Sequence, residues 1–192
     1  MEYLVTYGLA LFVILIVLAI LVAVVLPSLR APETCQFTQP GFGCSTKNHV
    51  LVADSAGNVD LIFQLDNQQG RGVVILGVLC TTEVPGNIDK EDMDEGGIGI
   101  SESMPAGSSR SFGTSEADVT NEIRCMDGTD TLVLAANDDF RGTLAIEYRF
   151  SQDVPGAPTR LAVASLTGTV QEGEISVGGG EEPEELPPEE DE

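Results

Sequence analysis

The hydrophobic pattern changes character once along this chain. From Leu4 to Leu26 every position is uncharged and nearly every one is apolar. At about 1.5 Å rise per residue such a stretch makes a helix of roughly 35 Å, enough to cross a hydrocarbon core of about 30 Å. Apolar residues fall on all faces, which excludes an amphipathic surface helix. Pro27 is expected to stop it, because proline cannot donate to the helix ladder.

Beyond Pro27 a polar connector, residues 28–47, leads into a region of period two. His49 to Ala53 is a short apolar run closed by a Ser-Ala-Gly-Asn turn. Val59, Leu61, Phe63 and Leu65 alternate with Asp60, Ile62, Gln64 and Asp66, the pattern of a half-buried strand. After a turn over residues 67–72, Val73 to Cys80 reads as a second strand, and the two are expected to form a hairpin. Residues 82–109 read as a long exposed acidic loop with a short strand near Ile98 to Ile100. Further strands are expected at 109–114, 131–135, 144–150 and 160–170, with Leu161, Val163, Ser165, Thr167 and Thr169 on one side of the last. Residues 116–125 fit either a helical turn or a loop.

The expected class is therefore α+β: a long N-terminal hydrophobic helix (1–27), the connector (28–47), a β-sandwich or small barrel (48–172) and a disordered acidic tail (173–192). A cleavable secretory signal is disfavoured, because no basic residue precedes the apolar run and Leu-Pro-Ser-Leu is a poor cleavage site.

Charge sharpens the picture. Thirty-one Asp and Glu face nine Lys and Arg, a net −22, and the only lysines are Lys47 and Lys90. Such a surface repels nucleic acid and anionic headgroups. It suits a self-repelling soluble exterior or one adapted to high salt, where screening acts over a few ångströms.

Cys35, Cys44, Cys80 and Cys125 lack C-x-x-C zinc spacing, and His49 is the sole histidine. An even cysteine number after an apolar helix points to disulfides in an oxidising exterior. Three connectivities are possible, one of which closes a short loop (Cys35–Cys44) and a long one (Cys80–Cys125); buried free thiols are the alternative.

No phosphate-cradling loop, Ser/His/Asp set or Gly-x-Ser-x-Gly is present, so neither catalytic residues nor cofactor or metal sites are assigned and an enzyme is not expected. Asp89 to Glu95 lacks EF-hand spacing and reads as a solvated acidic loop rather than a calcium site. There is no Asn-x-Ser/Thr acceptor.

One string is more specific. Glu2-Tyr3-Leu4-Val5-Thr6-Tyr7-Gly8-Leu9-Ala10, followed by an Ile/Val/Leu helix, resembles the start of archaeal type IV pilin-like proteins with class III signal peptides, which commonly read E-Y-L-M-T-Y-G-W-A. Val5 stands for Met and Leu9 for Trp. Looser similarity extends through Pro40 to Cys44, Gly77 to Cys80, Gly142 to Tyr148 and Ala162 to Val170, and excludes the tail.

The resemblance implies a subunit of a surface filament, active in adhesion, that is membrane-inserted before assembly and polymerises through its N-terminal helix. Its implied partners are copies of itself, the membrane, a prepilin peptidase and the pilus assembly machinery. Glu2 would set register against the N-terminal amine of another copy, or simply sit at the helix N-terminus at an interface. Thr6 and Gly8 are candidate contact positions, and Tyr3 and Tyr7 candidate interfacial anchors. Leu4, Leu11, Phe12, Ile14, Leu15 and Leu18 are candidate packing residues of the bundle.

The family's precursors carry a basic leader before the Glu-Tyr-Leu string. The expectation is thus a chain already processed or trimmed, or a true start codon upstream of Met1. Arg30, the only nearby basic residue, weakly favours an inward C-terminal side; the cysteines favour an outward one. The rival readings are a monomeric membrane-anchored extracellular β-sandwich binding module and a minor pilin.

The charge imbalance predicts a melting temperature that rises between about 0.1 M and 1 M NaCl as screening shortens. A flat thermal-unfolding midpoint across that range would remove the high-salt reading.

Overall fold

A computed structural model describes residues 2–28, 32–113, 121–154 and 156–173, with the side chains of 2–6, 24–28 and 45–48 left undescribed. The chain divides into two compact units, Met1–Pro32 and Glu33–Glu192. In the first, helix α1 spans Glu2–Ser28. It passes Pro27 by one residue, within the usual scatter of a helix end.

The second unit holds ten strands and a short helix: β1 (Thr34–Phe37), β2 (Phe42–Ala53), β3 (Val59–Asn67), β4 (Val73–Thr81), α2 (Lys90–Gly96), β5 (Ile98–Met104), β6 (Ser109–Phe112), β7 (Cys125–Asp127), β8 (Asp130–Thr131), β9 (Asp139–Phe150) and β10 (Arg160–Glu172). The hydrogen-bonded path runs β6-β3-β2-β10-β9-β4-β7-β8, with β1 added to β10 and β5 to β4.

β10 belongs to two sheets. Arg160 to Thr169 pair antiparallel with β9, and Val170 to Glu172 then pair parallel with β2. The outcome is a sandwich-like pair of sheets whose facing side chains exclude water. Val59, Leu61, Phe63 and Leu65 on β3 are fully buried, as are Ile75 on β4 and Leu144 and Ile146 on β9. Phe63 stacks on Phe112 of β6, with ring centroids 5.2 Å apart. A second, smaller apolar layer lies on the other face of β4, β9 and β10, where Leu79, Ala145 and Val163 pack with Ile88 and Met93.

Several expectations are corrected. The class is mainly β rather than α+β. Among the described residues, moreover, no helix is long and apolar enough to cross a membrane.

The expected β3–β4 hairpin is absent: β3 pairs with β2 and β6, whereas β4 pairs with β5, β7 and β9. Residues 67–72 carry the chain from one sheet to the other. Asn67, fully buried, fixes that turn by donating to the carbonyls of Arg71, Met104 and Pro105. Hairpins form instead at β2–β3 and β9–β10.

Residues 28–47, expected as a connector, contain β1 and the start of β2. The strand expected at 131–135 is reduced to β8 and an isolated bridge at Val133. On β10 the core-facing set is Ala162, Ala164, Leu166 and Val170, while Ser165 is exposed. The acidic loop holds α2, capped by Asp89, whose carboxylate accepts from Glu91 N and Asp92 N while Asp92 accepts from Asp89 N. The expected disordered tail, apart from Gly173, lies outside the described residues, as do residues 116–120 of the stretch 116–125.

Both disulfides form, Cys35–Cys44 and Cys80–Cys125, and no cysteine is free. The first ties β1 to β2; the second joins β4 to β7 and is wholly buried. One glycine is required at the centre: a Cβ on Gly142 of β9 would stand 2.1 Å from the Thr81 carbonyl oxygen of β4.

The loop closed by Cys80–Cys125 spans 45 residues, for which loss of chain entropy in the unfolded state gives about 4 kcal/mol. The double substitution Cys80→Ala, Cys125→Ala should lower the unfolding free energy by about 3–4 kcal/mol in denaturant titration. A loss below about 1 kcal/mol would mean that packing alone holds β7 in place.

Candidate assembly surface

The first unit presents one feature. Large apolar side chains of α1 stand open to solvent within the single chain, Leu11 at 53%, Phe12 at 63%, Ile14 at 58%, Leu15 at 56% and Leu18 at 52%. Tyr7, Leu9, Val13, Ile16, Val17, Ile20, Leu21 and Val22 are exposed as well. A Cβ added at Gly8 would meet nothing within 4 Å, so a neighbouring helix could approach closely there.

Monomeric soluble proteins rarely expose contiguous apolar patches beyond a few hundred Å². The described side chains of α1 make such an exposed apolar surface. Of the predicted assembly residues, Gly8, Leu11, Phe12, Ile14, Leu15 and Leu18 lie on this surface. The side chains of Glu2, Leu4 and Thr6, and the register role given to Glu2, lie outside the described residues. So does the side chain of Tyr3.

The second unit carries a buried ionic group that the sequence pattern does not disclose. Period two puts Asp60 on the polar face of β3, yet it is only 3% exposed. The reason is the segment 121–135, which lies along β3: Leu61 N donates to Ile123 O, Val59 N to Leu132 O, and Asp60 bridges with Arg124. Arg124 Nε stands 3.3 Å from the Asp60 carboxylate, and its guanidinium also binds Glu122. Burial pushes the Asp60 carboxyl up to about 6; Arg124 opposes the shift, and Glu122 and Asp54 add to it.

His49 is also buried, with Nε2 3.1 Å from the Thr167 carbonyl oxygen, to which it donates. These groups hold strands together. The single signal that could have exposed Asp60 is Arg124 beside Cys125, a cation delivered next to a residue bound to the core.

Among the described residues no group of three or more His, Cys, Asp or Glu side chains is placed to hold a metal. Within the acidic stretch 89–95, Asp89 and Asp92 are engaged in the α2 cap. No protein-family model matches the chain, and no characterised protein or solved structure matches it either.

The raised carboxyl gives a pH dependence whose sign follows from linkage. Its folded value lies above the unfolded one near 3.8, so the folded state binds the proton more tightly. The stabilisation is complete below about pH 4 and is lost as pH rises through about 6. Relative to Asp60→Asn, the native chain should therefore lose on the order of 2–3 kcal/mol of unfolding free energy between pH 4 and pH 7. Parallel denaturation curves of the two proteins across that range give the difference; a constant offset would mean that the carboxylate is ionised throughout.

Proposed function

We propose that this chain is a structural subunit of a surface filament of the archaeal type IV pilus kind, that it polymerises through α1, and that it serves adhesion rather than catalysis. The single observation that carries the reading is the exposure of the apolar side chains of α1 on every face. Identical helices can cover one another on all sides, whereas a single partner would leave much of that surface wet. Each large side chain removed from water contributes roughly 1.5–3 kcal/mol, which across one helix exceeds the about 4–15 kcal/mol lost on association.

Before assembly, lipid keeps the same surface dry. Two disulfides suit a folded unit that works outside the cell, in an oxidising medium. The Glu-Tyr-Leu-Val-Thr-Tyr-Gly string at the start of α1 supports the choice of filament class.

A charge in the middle of the helix tests this directly. Leu15→Lys would place an ammonium in the closed bundle, where burial of an unpaired charge is prohibitive. Cells carrying it should lose filaments in sheared fractions by at least about tenfold, while the protein itself persists with both disulfides formed. Filaments at wild-type abundance in that variant would refute assembly through α1.

A further inference from the structure

The second unit of the chain opens at Glu33. Cys35 stands two residues later, on a strand that is thinly held. Among the described residues β1 pairs with β10 alone, through four register pairs from Thr34↔Thr167 to Phe37↔Ala164. Around it, the Thr34 and Thr167 hydroxyls lie 2.7 Å apart, and Thr38 donates from N and Oγ1 to the Val163 carbonyl.

α1 and the β unit are one polypeptide, so a pull on α1 arrives at β1 first. Backbone hydrogen bonds each contribute modestly in water, and a short edge segment opens locally without the rest. Held by hydrogen bonds alone, β1 would leave β10 under tension. The chain would then lengthen as far as the next anchored strand.

Cys35–Cys44 changes where that pull goes. Cys44 lies on β2, which is held along eight register pairs by β3 and along three more by β10. Cys35 is buried, and Cys44 packs against the same core. The bond therefore crosses the sandwich, from the sheet that holds β1 to the sheet that holds β3, at the second residue of β1. It also takes the intervening chain out of the path: nine residues separate the two cysteines in sequence, yet their Cα atoms are 5.6 Å apart. The second disulfide has no such position. Cys80–Cys125 joins β4 to β7 in the core, far along the chain from α1.

We propose that Cys35–Cys44 is a mechanical joint, which delivers tension on α1 to β2 and across both sheets and so keeps β1 from being stripped from β10. That α1 is under tension at all rests on the filament reading, in which the bundle holds α1 while the β unit meets a surface. The route of the force through the chain does not depend on it.

The test pulls single intact chains, dispersed in detergent, in optical tweezers. One handle is joined to the start of α1 and the other to Val154→p-azidophenylalanine, an exposed position. The chain with both cysteines is expected to hold its length until the β unit unfolds as a whole. The pair Cys35→Ala, Cys44→Ala should lengthen beforehand by about 25 Å, the span of nine freed residues at roughly 3.4 Å each less the 5.6 Å already bridged. Dithiothreitol should produce the same step in the chain with both cysteines. Its thiolate attacks one sulfur of Cys35–Cys44, the other cysteine leaves as thiolate, and the reagent's second thiol closes on the first to release both cysteines reduced. Cys80–Cys125, wholly buried, is not reached before the unit opens.

Native near-ultraviolet circular dichroism verifies the fold of the double variant, and the reductant arm needs no variant at all. Equal traces with and without the two cysteines, or no lengthening on adding dithiothreitol before the unit unfolds, would each overturn the proposal. Filament loss in Leu15→Lys would be unaffected by either result.

Discussion

The apolar side chains of α1, exposed within the single chain, are the constraint on which the proposed assembly depends. A helix apolar on all sides gains nothing from folding alone, because its own backbone hydrogen bonds leave the side chains wet. The gain comes only when other apolar surface meets it. The β unit solves its own problem separately: two sheets joined through β10 bury their facing side chains, and its outer surface is polar and acidic. One part of the chain thus buries its own apolar side chains, and the described side chains of the other stay exposed within the single chain.

The interior of the β unit is secured by a few specific devices at its open side. Segment 121–135 runs beside β3 at Ile123 and Leu132 and beside β4 at Cys125 and Met126, so it spans the gap between the two sheets. The Cys80–Cys125 bond anchors it covalently, and the Asp60–Arg124 pair anchors it ionically. A buried carboxylate is a costly way to hold a segment, since a lost partner leaves an uncompensated charge. Its position under the segment makes it sensitive to proton concentration in a way the exposed acids are not.

Much of this was legible in the sequence, for physical reasons that differ by element. The alternation of Val59, Leu61, Phe63 and Leu65 identified β3 because one face packs and the other meets water. The alternating runs before Phe150 and after Arg160 likewise located β9 and β10. Adjacency misled at β3 and β4, because a short turn can carry a chain across a sandwich as well as back along one sheet. α2 was hidden by its brevity and acidity; Asp89 and Asp92 at cap spacing, with Met93 behind them, were its only trace. Asp60 was read as solvent-facing because period two describes a strand with one wet face, and a later segment covers that face here. The apolar run of α1 was plain, but what covers it is not written in one chain.

The most direct test is the state of the intact chain when detergent and lipid are withdrawn, viewed by electron microscopy. The account predicts long filaments of uniform width, with α1 protected from aqueous quenchers of a probe placed at residue 15. Dispersed single chains, or shapeless aggregate in which that probe stays accessible, would contradict it.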